Sequence, residues 1–248
     1  MSQKMLYVEL TPQEFRERLA VAPIAYLPLG ALEWHGDHLP LGADGLQAQG
    51  FFCHLAEIVG GIVLPMLFVG PDLAQVKNGQ ELYGMDLSPV TRDEQKYEVQ
   101  QLDGSAYWVP DETFKLILDG ILKQLRRVGF RIVVGHGHFP STKLFRDHAQ
   151  EWKENFDLDC YTCLDGDLDE QGLGIQVDHA AMNETSLMMA LHPDLVQMGR
   201  LPADLDQWPL GIGGKDPRLY ASADLGWKAI KLQAERMAGV LGKALNSL

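Results

Sequence analysis

The chain has 248 residues and a formal net charge of −13, enough length for one large α/β domain, and no Pro/Ser-rich stretch or charge run divides it, so a single domain over 1–248 is expected. The negative charge repels nucleic acid and anionic membranes and leaves small neutral or cationic molecules as partners. No apolar run approaches the roughly 20 residues of a membrane span, and Met1-Ser2-Gln3-Lys4-Met5 lacks the apolar core of a signal peptide, which predicts a soluble, cytoplasmic protein.

Thr11-Pro12-Gln13-Glu14 carries a capping box with proline at the first helical position and starts an amphipathic helix through Leu19. The apolar run Ile24 to Leu29 reads as a strand. It ends in Gly30-Ala31-Leu32-Glu33-Trp34-His35-Gly36-Asp37-His38-Leu39-Pro40-Leu41-Gly42-Ala43-Asp44, a glycine-punctuated turn dense in carboxylates and imidazoles. Leu46, Gly50, Phe51, His54, Leu55 and Ile58 then recur at helical spacing, and Gly60-Gly61 closes that helix before a strand over 62–65. The polar segment Pro71 to Gly104, with a turn at Asn78-Gly79, is expected to be a long loop serving as a lid or subunit contact.

Pro110-Asp111-Glu112 opens a helix with Phe114, Leu116, Ile117, Ile121, Leu122 and Leu125 on its apolar positions, ended by Gly129. Arg131 to Val134 reads as a buried parallel strand terminating in Gly135-His136-Gly137-His138. A helix over 142–156 and a strand around Cys160 follow. Cys160-Tyr161-Thr162-Cys163 has CxxC spacing without a second pair, so its cysteines are expected to be residues of a buried strand or its end. After a Gly/Asp-rich loop over 165–174, Ile175-Gln176-Val177 is expected to be a further strand leading into Asp178-His179 and a helix beginning near Asn183. The last helix runs from about Ser222 to Leu245. Strands alternating with helices predict a three-layer α/β/α sandwich with a mostly parallel central sheet, whose ligands bind beyond the carboxyl ends of the strands.

Three polar clusters sit at such ends. Glu33 and His35 leave one face if the strand continues extended, and Asp44 returns at the start of the next helix; two carboxylates and an imidazole suit a divalent cation such as zinc or manganese. His136 and His138 have the i, i+2 spacing that points both rings one way, and both are candidate ligands. His179 and Glu184 stand at the third end, where capping the helix is the competing role. His38 either lines the pocket or hydrogen-bonds its turn, and Trp34 either stacks on a flat substrate or packs.

Residues 27–44, with Glu33-Trp34-His35-Gly36-Asp37-His38-Leu39-Pro40 and Asp44, resemble the Glu-x-His-Gly-x-His-Leu-Pro and following aspartate of the creatininase family, the creatinine amidohydrolases. His179-Ala180-Ala181-Met182-Asn183-Glu184-Thr185-Ser186 is similar to the family's His-Ala-Gly-x-x-Glu-Thr-Ser. Gly214-Lys215-Asp216-Pro217, with Ala221-Ser222-Ala223 and Gly226, resembles its Gly-Asp-Pro and Ala-Ser-x-x-x-Gly tail. The resemblance implies a creatininase-like α/β/α fold, commonly a homo-oligomer and often a hexamer. It also implies one or two divalent ions per subunit, zinc or manganese with iron as a further candidate. Glu33 and His136 would hold one metal, His35 the other, and Asp44 would bridge them. His179 would be the general acid, and Glu184 would orient it or complete a metal shell.

The implied reaction is hydrolytic opening of a cyclic amide C–N bond in a small cyclic polar substrate. The alternatives are ring-opening of a C–C bond in an oxidised inositol of the cyclic diketone type, and a non-catalytic subunit stabilised by metal. Two departures bear on the substrate. Most members carry Asn-Gly-His-Gly-Gly-Asn where this chain, aligned on His136, has Val134-Gly135-His136-Gly137-His138-Phe139, which sets His138 where creatininase has a glutamate. The tryptophan that packs on creatinine upstream of the catalytic histidine is replaced around Ile175 and Gln176. A divergent member with its own substrate is expected, with Asp178, His38 and Trp34 as candidate binding residues.

Overall fold

The computed structural model describes residues 4–87, 98–164 and 173–248. Its first helix, α1 (Pro12–Val21), starts as its sequence dictates: the Thr11 hydroxyl accepts from the Glu14 N–H, and the Glu14 carboxylate accepts from the Thr11 N–H at 2.7 Å. In chain order there follow β1 (Ile24–Leu29), α2 (Ala43–Val59), β2 (Ile62–Val63), β3 (Ala74–Lys77), β4 (Gln80–Tyr83), α3 (Asp111–Arg127) and β5 (Ile132–Gly137). Then come α4 (Phe139–Asp147), α5 (Ala149–Phe156), β6 (Asp159–Tyr161), α6 (Met182–Leu191), α7 (Pro217–Tyr220) and α8 (Ala223–Asn246).

Four strands form a parallel sheet in the order β2-β1-β5-β6. β1 is buried throughout, as a central parallel strand must be, and its side chains alternate between two cores. Ile24 and Tyr26 join Phe51, Phe52 and Leu55 of α2 with Ile230, Met237 and Leu241 of α8 on one face. Ala25, Leu27 and Leu29 join Phe114, Leu118 and Leu122 of α3 with Trp152 of α5 on the other. Helices thus cover both faces, and the expected α/β/α sandwich with a parallel sheet is what the chain builds.

The strand order also fixes where a ligand belongs. From β1 the chain crosses one face through α2 to β2, then returns over the other face through α3 to β5, on the opposite side of β1. The order therefore reverses between β1 and β5, where Pro28 pairs with His136 and Leu29 with Gly137, and a crevice opens beyond the carboxyl ends of strands at such a point. The Glu33 turn leaves one strand there and His138 leaves the other.

Three expectations are corrected. Residues 175–177 form no strand, because Gln176 adopts a left-handed backbone with φ 55°. The helix over 142–156 is two helices, α4 and α5, divided at His148. The segment 71–104 is not all loop, since β3 and β4 form an antiparallel hairpin through the Asn78-Gly79 turn, while residues 88–97 lie outside the described residues. So do residues 165–172 of the Gly/Asp-rich loop. Cys160 is half-buried on β6 with its thiol pushed up to about 12 by burial, and Cys163 lies in the core, in keeping with residues of a strand and its end. Among the described residues no helix is long and apolar enough to cross a membrane.

Arg218 of α7 fastens the loop that leads to the site. Its guanidinium pairs with the buried Asp216 carboxylate at 2.8 Å and donates to the carbonyls of Pro202, Asp204 and Gln207 at 2.9–3.0 Å. The Lys215 backbone carbonyl, beside this hub, accepts from the Met182 N–H at the start of α6. Arg218→Ala removes the guanidinium that pairs with the buried Asp216 carboxylate and holds three loop carbonyls, and is expected to cost about 3–5 kcal/mol in a denaturant titration.

Candidate metal centre

Asp44, in the first turn of α2, points both carboxylate oxygens at imidazoles. His35 Nε2 lies 3.5 Å from Asp44 Oδ1 and 3.6 Å from Glu184 Oε2. On the other side His138 Nδ1 lies 3.2 Å from Asp44 Oδ2 and 3.5 Å from Glu33 Oε2. Two donors bonded at about 2.0–2.2 Å to one tetrahedral ion stand roughly 3.3–3.6 Å apart. Each imidazole thus stands at such a distance from two carboxylates, with Asp44 common to both; among the described residues the groups that could hold a cation are His35, Asp44 and Glu184, then Glu33, Asp72 and His138, then Glu33, His35 and His179. Glu33, His35, Asp44, His138 and Glu184 are all buried.

The local folding explains these orientations. His35 Nδ1 is 3.0 Å from the backbone oxygen of Glu33 and donates to it, so Nε2 is the nitrogen turned to Asp44 and Glu184. That Nε2 has no hydrogen-bond partner, which marks it as aimed at a ligand. Glu184, in the first turn of α6, accepts from Ala180 N–H at 2.7 Å through Oε2. Asp44 Oδ1 accepts from the Gln176 carboxamide at 3.0 Å, which is what the left-handed Gln176 backbone achieves.

The buried carboxylates and imidazoles shift one another's proton affinities. Burial would depress His35, but Asp44 and Glu184 override it and hold the imidazole up at about 10. His138 is likewise raised, against its burial, by Glu33, Asp44 and Asp72. Burial pushes the Glu33 carboxyl up to about 7 and Glu184 well above the usual carboxylate range. Asp44, despite its burial, is held low by His35 and His138.

His179 behaves differently. Its Nε2 donates to the Trp34 carbonyl at 2.8 Å, which leaves the Nδ1 lone pair facing the site, 3.9 Å from Glu33 Oε2. Burial, reinforced by the charge on His35, lowers it to about 3, so the ring is neutral. His35 and His179 lie ring to ring at 4.4 Å. A small cluster of Leu39, Ala180, Ala181, Met188, Trp208 and Ile212 packs beneath this turn.

A cavity of about 220 Å³ opens on these groups, with Glu33, Asp44, Asp72, His138, Gln176, Asp178, His179 and Glu184 on its wall. Not every expected residue reaches it. His136 is in none of the metal-competent groups found among the described residues; its Nε2 faces the Ile175 carbonyl at 3.2 Å. His38 is buried and hydrogen-bonds the Thr185 hydroxyl at 2.8 Å, so it neither lines the pocket wall nor bonds within its own turn but ties that turn to α6. The Trp34 indole donates to the Leu210 carbonyl, and its contribution to the site is the carbonyl that holds His179. Asp178 lines the cavity while its oxygens accept from the Asn183 and Glu184 N–H groups, so it, not His179 or Glu184, caps α6.

Asp72 is the residue that sequence reasoning missed. It stands just before β3, half-buried, with Oδ2 3.3 Å from His138 Nε2, and joins Glu33 and His138 in one metal-competent group. A lone aspartate in a polar segment carries no local signal; the hairpin delivers it. Gly84, after β4, has φ 58°, and a Cβ there would meet Asp72 Oδ2 at 2.4 Å and Glu33 Oε1 at 2.7 Å, so only glycine lets these carboxylates approach.

Comparison with known proteins agrees with this architecture. The family model Creatininase, described as creatinine amidohydrolase, matches residues 8–91 and 96–246. A creatinine amidohydrolase of Pseudomonas putida is 29% identical over 220 residues, covering 81% of this chain and 77% of its own. Two solved creatininases, a manganese form and a mutant of Zn-Zn type, superpose with TM-scores of 0.71 and 0.69 at 23% identity, each over 98% of this chain and 99% of theirs. With the family model spanning nearly its whole length, the chain belongs to the creatininase family.

Proposed function

We propose that the protein is a metal-dependent hydrolase that opens the C–N bond of a small, polar cyclic amide or amidine. The observation that carries this is Asp44, whose two oxygens each meet a different imidazole, each backed by a second carboxylate. In this reading Glu33, Asp44 and His138 hold one divalent cation, and Asp44, His35 and Glu184 hold a second. Nitrogen and oxygen donors at these spacings suit zinc or manganese, with iron accepted by the same set. His138 then takes the ligand position of the family's His-Gly pattern, two residues later than the sequence suggests, and His136 falls where most members have asparagine.

Bound cations would polarise the scissile carbonyl and bring the pKa of water towards neutrality. The chain's own groups handle the proton. Neutral His179, its Nε2–H fixed on Trp34, is an acceptor at Nδ1; it takes a proton from the attacking water and returns it to the departing nitrogen as the C–N bond breaks. The expected role of general acid therefore begins as that of a base. Gln176 and Asp178 line the wall with polar groups, and Ile175 is buried. A pocket of this volume and polarity fits a compact, hydrogen-bonding ring.

The test is the metal content of protein purified without added metal, by elemental mass spectrometry, followed by a panel of cyclic amides, cyclic amidines and cyclic diketones. One to two equivalents of cation and turnover of a cyclic amide or amidine are expected. Protein that takes up no cation on supplementation would sink the proposal, and turnover confined to diketones would replace C–N with C–C cleavage.

Loading must displace protons from the imidazoles held high by Asp44 and from Glu33. Cation affinity is accordingly expected to rise with pH from 6 to 9, since each proton removed by base is one the cation need not displace. Calorimetric titrations in two buffers of different ionisation enthalpy will read at least about one proton released per cation at pH 7.

A further inference from the structure

We infer that Asp72 is the positioning residue of His138: a carboxylate, outside the ligand set, that fixes the imidazole with its proton on Nε2 and its lone pair on Nδ1. The inference rests on the proposed metal centre and extends it to a residue that no local pattern in the sequence marks. Asp72 Oδ1 accepts from the Leu73 N–H at 2.7 Å, which leaves Oδ2 facing His138 Nε2 at 3.3 Å, a charge contact short of hydrogen-bond alignment at a nitrogen that has no other partner. The opposite ring nitrogen, Nδ1, is the one that meets Glu33 and Asp44. Holding the proton on Nε2 keeps a lone pair at Nδ1, as a metal ligand requires, and a carboxylate behind an imidazole raises its basicity as well as fixing its orientation.

The surroundings hold Asp72 to this task. The Trp108 indole donates to the Asp72 backbone carbonyl at 2.8 Å, and Trp108 stacks on Tyr83 of β4 at 6.3 Å between ring centres. The Tyr83 hydroxyl donates to the Ser105 carbonyl, and the Ser105 hydroxyl accepts from the Trp34 N–H at 3.0 Å, so the hairpin is tied to the turn that carries Glu33 and His35. The Gly84 N–H donates to the Leu73 carbonyl at 2.9 Å, which places the hairpin's far end over both carboxylates.

Asp72→Asn is the discriminating variant because it changes no volume. An aspartate accepts at both oxygens, whereas asparagine has one; with that oxygen taken by Leu73 N–H, the amide NH₂ faces Nε2–H, donor against donor. The metal-free His138 then prefers its proton on Nδ1, and a cation must shift that proton to Nε2 before it can use the Nδ1 lone pair, which weakens binding without removing the ligand. Zinc affinity, measured by competition with a chromogenic chelator, is expected to fall by about 10–100-fold. The melting temperature of the metal-free protein should stay at the wild-type value, and the visible spectrum of the Co²⁺-loaded variant should keep the wild-type bands, because the ligand set is intact.

Unchanged zinc affinity in Asp72→Asn overturns the inference. An altered Co²⁺ spectrum also overturns it, by making Asp72 a direct ligand. Wild-type protein that takes up no cation removes the proposed function and this inference together, so the two failures are distinguishable.

Discussion

Asp44→Asn is expected to lose both cations and all measurable turnover while keeping its fold. The carboxylate is the one group that meets both imidazoles, Oδ1 towards His35 and Oδ2 towards His138, at 3.5 and 3.2 Å. Replacing one oxygen by NH₂ removes a donor atom from one set and a negative charge from both. The affinity loss should exceed about 100-fold at each position, the upper end of what losing even an outer-shell partner costs. The fold survives because His35 keeps Glu184 beside it and His138 keeps Glu33 and Asp72, so neither imidazole is left as an unpaired buried cation. Elemental analysis should find no cation, and the melting temperature should match that of metal-free wild type. His136→Ala serves as the contrast, keeping both cations, since His136 faces the Ile175 carbonyl and belongs to neither set. Retention of two equivalents in Asp44→Asn would mean the two cations share no bridging ligand.

The layers of this protein are legible in its sequence because the signals that write them are local. Thr11 and Glu14 cap α1 through atoms three residues apart, and Ile24 to Leu29 is a central strand because six successive positions are apolar and both faces of the sheet are covered. Glu33, His35 and Asp44 are legible for the same reason: one turn of 12 residues carries three groups of the candidate metal centre. The hairpin was only half legible: Asn78-Gly79 marks its turn and Ala74-Gln75-Val76-Lys77 alternates, but β3 is four residues long and exposed throughout, with no buried face to set it apart from the polar segment around it. Residues 175–177 misled because Ile-Gln-Val has the composition of a strand, while a tertiary contact, the Gln176 carboxamide on Asp44, takes the backbone to a positive φ. No proline or glycine marks the break between α4 and α5 at His148.

The choice between His136 and His138 shows the limit most clearly. Two histidines two residues apart on an extended strand share a face, and spacing alone cannot rank them. What ranks them is that β5 ends at Gly137 and α4 begins at Phe139, so His138 sits at the helix start with φ −42°, beyond the last strand pair. Its backbone N–H reaches back to the Leu29 carbonyl at 2.7 Å, which sets its side chain beside the turn leaving β1. That outcome depends on the register between two strands separated by about a hundred residues of chain, information that no window of sequence contains.

Gly137→Ala is expected to be the most damaging single methyl addition at the site. Gly137 has φ 151°, and a Cβ there would stand 1.6 Å from the Leu29 carbonyl oxygen and 2.6 Å from its carbon. Both atoms are backbone of the neighbouring central strand, so no side chain can swing aside. The strands must separate at Leu29 and Gly137, the last pair of their ladder, which breaks the hydrogen bond from His138 N–H to that same oxygen. A cost above about 4 kcal/mol is expected, the range in which strain at a special backbone angle and lost core pairing combine. For a chain of this size that lowers the melting temperature by roughly 8–16 °C. The cation held through His138 should be lost as well, because the ligand moves with its strand end. Gly120→Ala is the control, in the exposed middle of α3 with nothing within 4 Å of the added carbon; it should stabilise by about 0.4–1 kcal/mol. Opposite signs for the same chemical change would locate the requirement for glycine at the crevice between β1 and β5. Equal effects would mean that the two strands can part there without disturbing the metal centre.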